Sequence, residues 1–435
     1  MSSRIEAMDQ WQNVYPRLYP GRAIKDVTFI VTHQCNLRCT YCYEHNKSDR
    51  VMSLDIAKRA VDLMFAEDLR NSELINDVDS HGLILNFIGG EPFLEIELID
   101  QIMTYFLNKA IELDHRWQTQ YMICISTNGT LGDDPRVRRF IKKYHGRCSI
   151  SVTIDGAKEA HDACRVDCNG CGSYDRAIKM FREVALTTSG RQTKYTIAPG
   201  NVDLFFDSAK TLIENENIRN LACNTVYEEG WTVEHARILY DQLKRTSDML
   251  RELDHDVWVS ILDWEAGLPI PDTETQNWCG GDGRMLAFDV DGTVLPCMRY
   301  SSMSIGNRPV FRIGDVWTGI GVREDDRERL ALLKAITRQS QSEQKCLECP
   351  IAQGCGWCSA YNYEMTGTPD KRVTYECQMH QARVLAQCYH HNKLHLKDPM
   401  HEPKKMYIPK DWALEIISED EYNMLMDLAR QCGMD

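Results

Sequence analysis

The chain has no apolar run approaching the ~18 residues that a membrane-spanning helix needs, so no bilayer span is expected. It also lacks the basic-then-apolar start of a secretory signal; its first residues are MSSRIEAMDQWQN. Both absences lead to the expectation of a cytoplasmic protein. A basic excess is missing too. The formal net charge is −14, which argues against a nucleic-acid partner, because a phosphate backbone favours a basic face. There is no internal repeat and no low-complexity stretch. What remains is a chain of 435 residues with 43% hydrophobic content. That is enough for a large catalytic domain plus a second module.

Cysteine is plentiful, at eighteen residues. In a long cytosolic chain, clustered Cys more often bind metal or do chemistry than form disulfides. The most informative cluster is Cys35, Cys39 and Cys42 in THQCNLRCTYCYE, directly after a β-branched run from Val27 to Thr32. Three thiolates can hold three corners of a [4Fe–4S] cube, which normally takes four. The fourth iron is then free to bind a small molecule. Zinc prefers four protein ligands, usually as two Cys pairs, so a trio with no fourth ligand nearby fits zinc poorly.

Strands and helices alternate after this loop. Ser53 is a good N-cap for the periodic stretch that follows it. Strands are expected over 83–88, 121–127, 148–154, 193–198 and 219–226. Helices are expected over 95–112, 135–144, 174–187 and 203–214. With the strand before Cys35, this makes six β/α units, the pattern of a parallel sheet with outer helices. Six are too few for an eight-stranded barrel. Residues 231–253 read as a long helix leaving this core. From about 256 to 380 the pattern breaks down and the chain looks loop-rich. Beyond 396 come three prolines and an amphipathic stretch from Glu419 to Cys432.

The Cys-x3-Cys-x2-Cys spacing, the preceding strand, the Cys-Asn-Leu start and Tyr41 before the last Cys together resemble the radical S-adenosylmethionine (SAM) superfamily. The resemblance implies an α/β fold, a partial (β/α)6 TIM barrel. It implies that Cys35, Cys39 and Cys42 hold a [4Fe–4S] cluster whose open iron chelates SAM and cleaves it to a 5′-deoxyadenosyl radical. Gly89-Gly90-Glu91-Pro92, at the end of the second strand, resembles the element that aligns the SAM amino group. Ser126 and Asn128 end the next strand and would shape the SAM pocket. Thr153-Ile154-Asp155-Gly156, with His161, Asp162 and Arg165, resembles the segment in which a hydroxyl contacts SAM and the Arg pairs with its carboxylate. A second trio of the same spacing, Cys164, Cys168 and Cys171, lacks the flanking residues and is read as coincidental or as loop thiols near the substrate.

The later cysteines run Cys279-x12-Gly292-x4-Cys297, Cys346-x2-Cys349-x5-Cys355-x2-Cys358 and Cys377. Paired Cys-x2-Cys also occurs in zinc ribbons, so zinc competes here. The complete order resembles the SPASM extension of radical SAM enzymes, which houses two auxiliary [4Fe–4S] clusters. By that resemblance Cys346, Cys349, Cys355 and Cys377 would hold the outer cluster, and Cys279, Cys297 and Cys358 the inner one. This gives three clusters in all and leaves the inner one short of a protein ligand, unless another cysteine such as Cys388 closes it. The implied division is an N-terminal extension (1–24), the barrel (25–230), a bridging helix and linker (231–275), the SPASM domain (276–380) and a C-terminal tail (381–435).

Within that superfamily, sulfatase-maturating enzymes place an acidic residue directly after the Cys of Gly-x4-Cys. Here Met298 stands there, and a Met takes no proton. TIDGAKEAHDACR, VYEEGWTVEHARILYDQL and GCGWCSAYNYEMTGT are similar to the maturases of Cys-x-x-x-repeat peptides, including thioether-forming ones such as the freyrasin maturase. That resemblance implies a Cys-rich precursor peptide as substrate, joined through Cys-to-carbon thioethers. It also implies an electron donor such as flavodoxin or ferredoxin, and leader recognition elsewhere in the chain or by a separate protein. Formylglycine formation and carbon–carbon crosslinking are the alternatives.

Overall fold

The computed structural model describes residues 25–66, 82–185, 192–263, 265–271, 281 and 285–434. Cys279 lies outside them.

Six strands run parallel and side by side in sequence order: β1 (Lys25–Thr32), β2 (Leu83–Gly89), β3 (Tyr121–Thr127), β4 (Cys148–Thr153), β5 (Gln192–Ile197) and β6 (Asn220–Thr225). The expectation of six β/α units is met. β1 is buried along nearly its whole length, which suits a strand covered on both faces. Crossover helices start where the sequence offers caps. Ser53 Oγ accepts from Ile56 N at 3.2 Å to open the helix Leu54–Phe65. Asp134 caps the helix Pro135–Lys143, whose first residue is a proline.

The sheet continues beyond these six. β7 (Trp258–Val259) adds to β6, after the helix Val233–Glu252. On the other side β8 (Met285–Phe288) pairs in parallel with β1, followed by antiparallel β9 (Thr293–Leu295), β10 (Gly314–Asp315) and β11 (Gly319–Ile320). The expected loop-rich segment therefore supplies five strands of one eleven-stranded sheet. Each has two to four residues, too short for a period-two pattern to register. The β8 junction is apolar: Phe29 of β1 packs at 5.6 Å on Phe87 of β2 and at 5.3 Å on Phe288 of β8.

The helix Cys377–Lys397 lies along Val233–Glu252, with Ser247 Oγ and His390 Nδ1 2.9 Å apart. The amphipathic stretch at the end forms the helix Glu419–Gln431, capped by Ser418. It docks on the same bridging helix, where Tyr240 and Lys244 both donate to Glu421 Oε1, at 2.5 and 2.6 Å. Among the described residues no helix is long and apolar enough to cross a membrane.

Candidate active site

The Cys loop leaves the C-terminal end of β1, where loops of a parallel α/β sheet carry chemistry. Cys35, Cys39 and Cys42 line one cavity of about 390 Å³. Burial pushes the Cys35 thiol up to about 12 and also raises Cys39. As free thiols they stay protonated, and taking up a metal centre would release those protons. Donors already point at the sulfurs: Leu37 N to Cys35 Sγ at 3.4 Å, and Lys47 Nζ to Cys42 Sγ at 3.1 Å. Three thiols on one cavity with hydrogen-bond donors beside them are the donor set of a cube held at three corners, although among the described residues no three His, Cys, Asp or Glu are gathered to hold a single metal ion.

Tyr41, Gly90, Glu91, Ser126, Asn128, Thr153 and Arg165 line the same cavity; Gly89 is not among its lining residues. The glycines also permit a close backbone contact. A Cβ on Gly90 would meet Gln34 O at 2.3 Å and Cys35 Cβ at 2.7 Å, and one on Gly89 would meet Thr32 O at 2.3 Å. They let the end of β2 press against the Cys loop. Glu91 is 1% exposed, and its carboxylate accepts from Thr127 Oγ1 at 2.7 Å, Asn128 N at 2.8 Å and Phe93 N at 3.1 Å. It ties the β2 and β3 ends together. Asn128 Nδ2 in turn donates to Asn36 Oδ1 at 2.8 Å, inside the Cys loop.

Arg165 is buried, and its Nη1 donates to the Tyr41 oxygen at 2.7 Å and faces Asp155 Oδ2 at 3.5 Å. Tyr41 donates to the same Asp155 oxygen, while Asp155 Oδ1 accepts from Thr196 N at 2.9 Å. Asp155 is fully buried. The Arg is therefore a buried, paired group, with its Nε left without a partner.

The second trio is divided by burial. Cys164 is buried, whereas Cys168 and Cys171 are exposed. Their segment instead braces the first loop: Thr40 N donates to Cys164 O at 2.9 Å and Arg38 N to Val166 O at 2.6 Å.

Cys346, Cys349, Cys355, Cys358 and Cys377 line a separate, mainly apolar cavity of about 290 Å³. Burial drives the Cys355 thiol up to about 12, and nearby Cys377 and Cys349 add to it. Cys377 feels Cys346 and Cys349 in the same way. Four thiols lining one cavity are the donor set a closed metal centre would use. Cys297 is buried at the start of the turn Met298–Tyr300.

Several cavity residues were not singled out from the sequence. Arg299 donates to Glu228 and stacks on Tyr43 at 4.8 Å and on Tyr361 at 5.0 Å. Tyr227 lines both the barrel cavity and the Cys-rich one, so the two share a wall. Lys194 also faces the barrel cavity. Its signal was a lysine in the middle of a buried strand, QTKYTI.

Residues 29–203 match the family model described as the Radical SAM superfamily. This segment, under half of the chain, is what resembles that superfamily. The chain is 30% identical over 147 residues to an uncharacterised protein of Methanocaldococcus jannaschii, covering 34% of this chain and 44% of that one. It is 29% identical over 156 residues to a cysteine-type anaerobic sulfatase-maturating enzyme of Clostridium perfringens, covering 34% and 38%. The chain thus spans less than half the length of these two relatives. A serine-type anaerobic sulfatase-maturating enzyme of Bacteroides thetaiotaomicron aligns at 22% identity over 79% of this chain and 84% of its own. The solved structure of native anSMEcpe with bound AdoMet superposes with a TM-score of 0.59 at 17% identity, over 82% of this chain and 95% of that one. Streptococcus suis SuiB bound to precursor peptide SuiA gives 0.55 at 13%, over 82% and 76%. The fold is the radical SAM α/β fold with a Cys-rich C-terminal region.

Proposed function

We propose that this chain is a radical SAM enzyme that modifies a ribosomally made, Cys-rich peptide by joining Cys sulfur to a carbon as a thioether. The observation that carries the reading is the shared wall at Tyr227, which sets the cavity of Cys35, Cys39 and Cys42 beside the cavity of Cys355 and Cys358. A peptide in the barrel mouth lies between two thiol-lined chambers, where a carbon can be attacked from one and a thiolate held at the other.

When bound, SAM on a [4Fe–4S] cluster supplies the power to remove hydrogen from an unactivated carbon, and the protein supplies aim and shielding. Cys35, Cys39 and Cys42 would hold that cluster, with Lys47 and the Leu37 amide donating to their sulfurs. Glu91 and Asn128 fix the loops around it. Arg165 and Thr153 face the space a SAM molecule would fill. Cys346, Cys349, Cys355 and Cys377 would hold the outer auxiliary cluster, and Cys279, Cys297 and Cys358 the inner one. Thiolates are the natural iron ligands for both.

Formylglycine formation is the competing reading, favoured by the alignment with the serine-type sulfatase-maturating enzyme over 79% of the chain. Met298 speaks against it. It follows Cys297 in a short turn, is partly buried against the core and offers no proton acceptor. The deciding experiment incubates reconstituted enzyme, SAM, a reductant and the Cys-rich precursor peptide anaerobically, then alkylates free thiols. The expected product has lost about two mass units and one alkylatable thiol per bridge, since each C–S bond replaces one S–H and one C–H. A mass change with every Cys still alkylated rejects the thioether and moves formylglycine or carbon–carbon chemistry ahead.

A further inference from the structure

The guanidinium of Arg299 joins four segments of the chain. It belongs to the turn Met298–Tyr300, just after Cys297. It lies over the Tyr43 ring at 4.8 Å and the Tyr361 ring at 5.0 Å. Tyr43 follows Cys42, and Tyr361 is in the first turn of the helix Ser359–Thr366, whose N-cap is Cys358. The fourth segment brings Glu228, after β6, which accepts from Arg299 Nη2. Two rings and a carboxylate fix a planar cation in a way that a lysine could not reproduce.

The ion pair is unevenly buried. The Arg299 side chain is 12% exposed and that of Glu228 34% exposed. Water therefore screens the carboxylate more than the guanidinium, and a net positive charge remains on the inner side. Burial works against that charge, and Cys358 leads the groups that favour it, ahead of Glu228. Tyr43, on which the guanidinium stacks, feels both Cys42 and Cys297. A guanidinium does not lose its proton in a protein, so the charge is a fixed one.

We propose that Arg299 sets the reduction potential of the inner auxiliary centre at Cys297 and Cys358, holding it positive enough to accept the electron that thioether formation leaves over. This rests on the peptide-maturation reading and on its auxiliary clusters. In that reaction the abstracted hydrogen leaves on 5′-deoxyadenosine, the thiol proton passes to solvent, one C–S bond forms and one electron remains. One electron entering an iron–sulfur centre makes it one charge more negative. A fixed cation stabilises that reduced state more than the oxidised one, which raises the potential. Arg299 acts here as a positioning residue, through the centre and not on the substrate.

The test uses the full chain with Cys35, Cys39 and Cys42 replaced by Ala, so that only the auxiliary centres titrate. Anaerobically reconstituted protein is taken through a redox titration followed by electron paramagnetic resonance, with the outer centre as internal reference. Adding Arg299→Met should make one of the two midpoints more negative by about a tenfold change in its one-electron equilibrium, ~59 mV, and leave the other in place. Arg299→Lys should shift the same midpoint by less. Glu228→Gln removes the opposing anion and should move that midpoint the other way. Opposite signs separate a charge effect from a loosened fold, which would shift both variants alike. Glu228→Gln carries the test by itself if Arg299→Met fails to hold iron. Unmoved midpoints, or shifts of one sign in Arg299→Met and Glu228→Gln, overturn the proposal while the clusters stand. A background protein that holds zinc and gives no iron–sulfur signal overturns the auxiliary-cluster reading, and the proposal falls with it.

Discussion

Arg165 donates from Nη1 to the Tyr41 hydroxyl oxygen at 2.7 Å, joining the residue before the last cysteine of the loop to the segment that follows β4. Asp155 completes the set from beneath, fully buried and held by the Thr196 amide. A charge pair of this kind is weak evidence of net stability, but breaking it is expensive because the survivor keeps its charge in a desolvated place.

Arg165→Met should therefore destabilise the protein by about 3 kcal/mol, since Asp155 is left without its cation. Tyr41→Phe removes one hydrogen bond and should cost about 1 kcal/mol. Urea unfolding of anaerobically reconstituted protein, followed by circular dichroism, gives both values. An Arg165→Met protein as stable as wild type would mean that Asp155 finds its stabilisation elsewhere.

The two cysteine trios share a spacing but not an environment. Replacing Cys35, Cys39 and Cys42 by Ala should remove about four irons per chain, the content of one cubane. Replacing Cys164, Cys168 and Cys171 should leave the iron count unchanged, because Cys164 is buried while Cys168 and Cys171 are exposed. In the native protein, a maleimide should label Cys168 and Cys171 first. Loss of iron from the second triple variant alone would reverse the assignment.

Asp26 sits in β1 between two neighbours, opposite Ile84 of β2 and Met285 of β8. Burial lifts its carboxyl to about 6, against a counteracting hydrogen bond from Asn86. A raised carboxyl pKa gives stability that is complete below the unfolded value near 4 and is lost as the pH rises through about 6. The gap amounts to about 3 kcal/mol at neutral pH. Asp26→Asn should be more stable than wild type by about that much at pH 8, with the difference narrowing toward pH 5. Urea midpoints at the two values test this, and a difference independent of pH would remove the carboxyl from the explanation.

How much of this was legible in the sequence depended on how far apart the cooperating residues lie. Strands such as LILNFIG and helices opened by Ser53 or Asp134 announce themselves, because period and cap are local. β8 does not. Its four residues matter only because Phe288 packs against Phe29, more than two hundred and fifty positions earlier. His33 and Asp289, 2.7 Å apart and both buried, make the same long-range link. The cavity showed the same split. The Cys-x3-Cys-x2-Cys run was plain, but Arg299 between Tyr43 and Tyr361 required three distant segments to meet. Gly90 was legible as a site of close backbone approach, but not its contact with Gln34 and Cys35, since a glycine's missing Cβ does not say what fills the space.

The Cys-rich cavity gives the last test. Cys346, Cys349, Cys355 and Cys377 line one cavity; Cys346 sits in the four-residue helix Gln344–Leu347, and Cys349 and Cys355 lie in irregular segments with little helix or sheet to hold them. Cys377 is different, because it begins the long helix Cys377–Lys397 that packs along the bridging helix. Loop thiols of this kind would gain much of their order from a bound metal. The double variant Cys349→Ala/Cys377→Ala should lose about four of roughly twelve irons, the content of one cubane among three. The helix should persist in circular dichroism, because its packing does not depend on that cysteine. SAM cleavage should persist as well, since the trio at Cys35, Cys39 and Cys42 lines a different cavity. Iron near four per chain in the wild type, with zinc present, would instead make the module a zinc site. An electron leaving the substrate would then need another acceptor, and the thioether reading would lose its route for it.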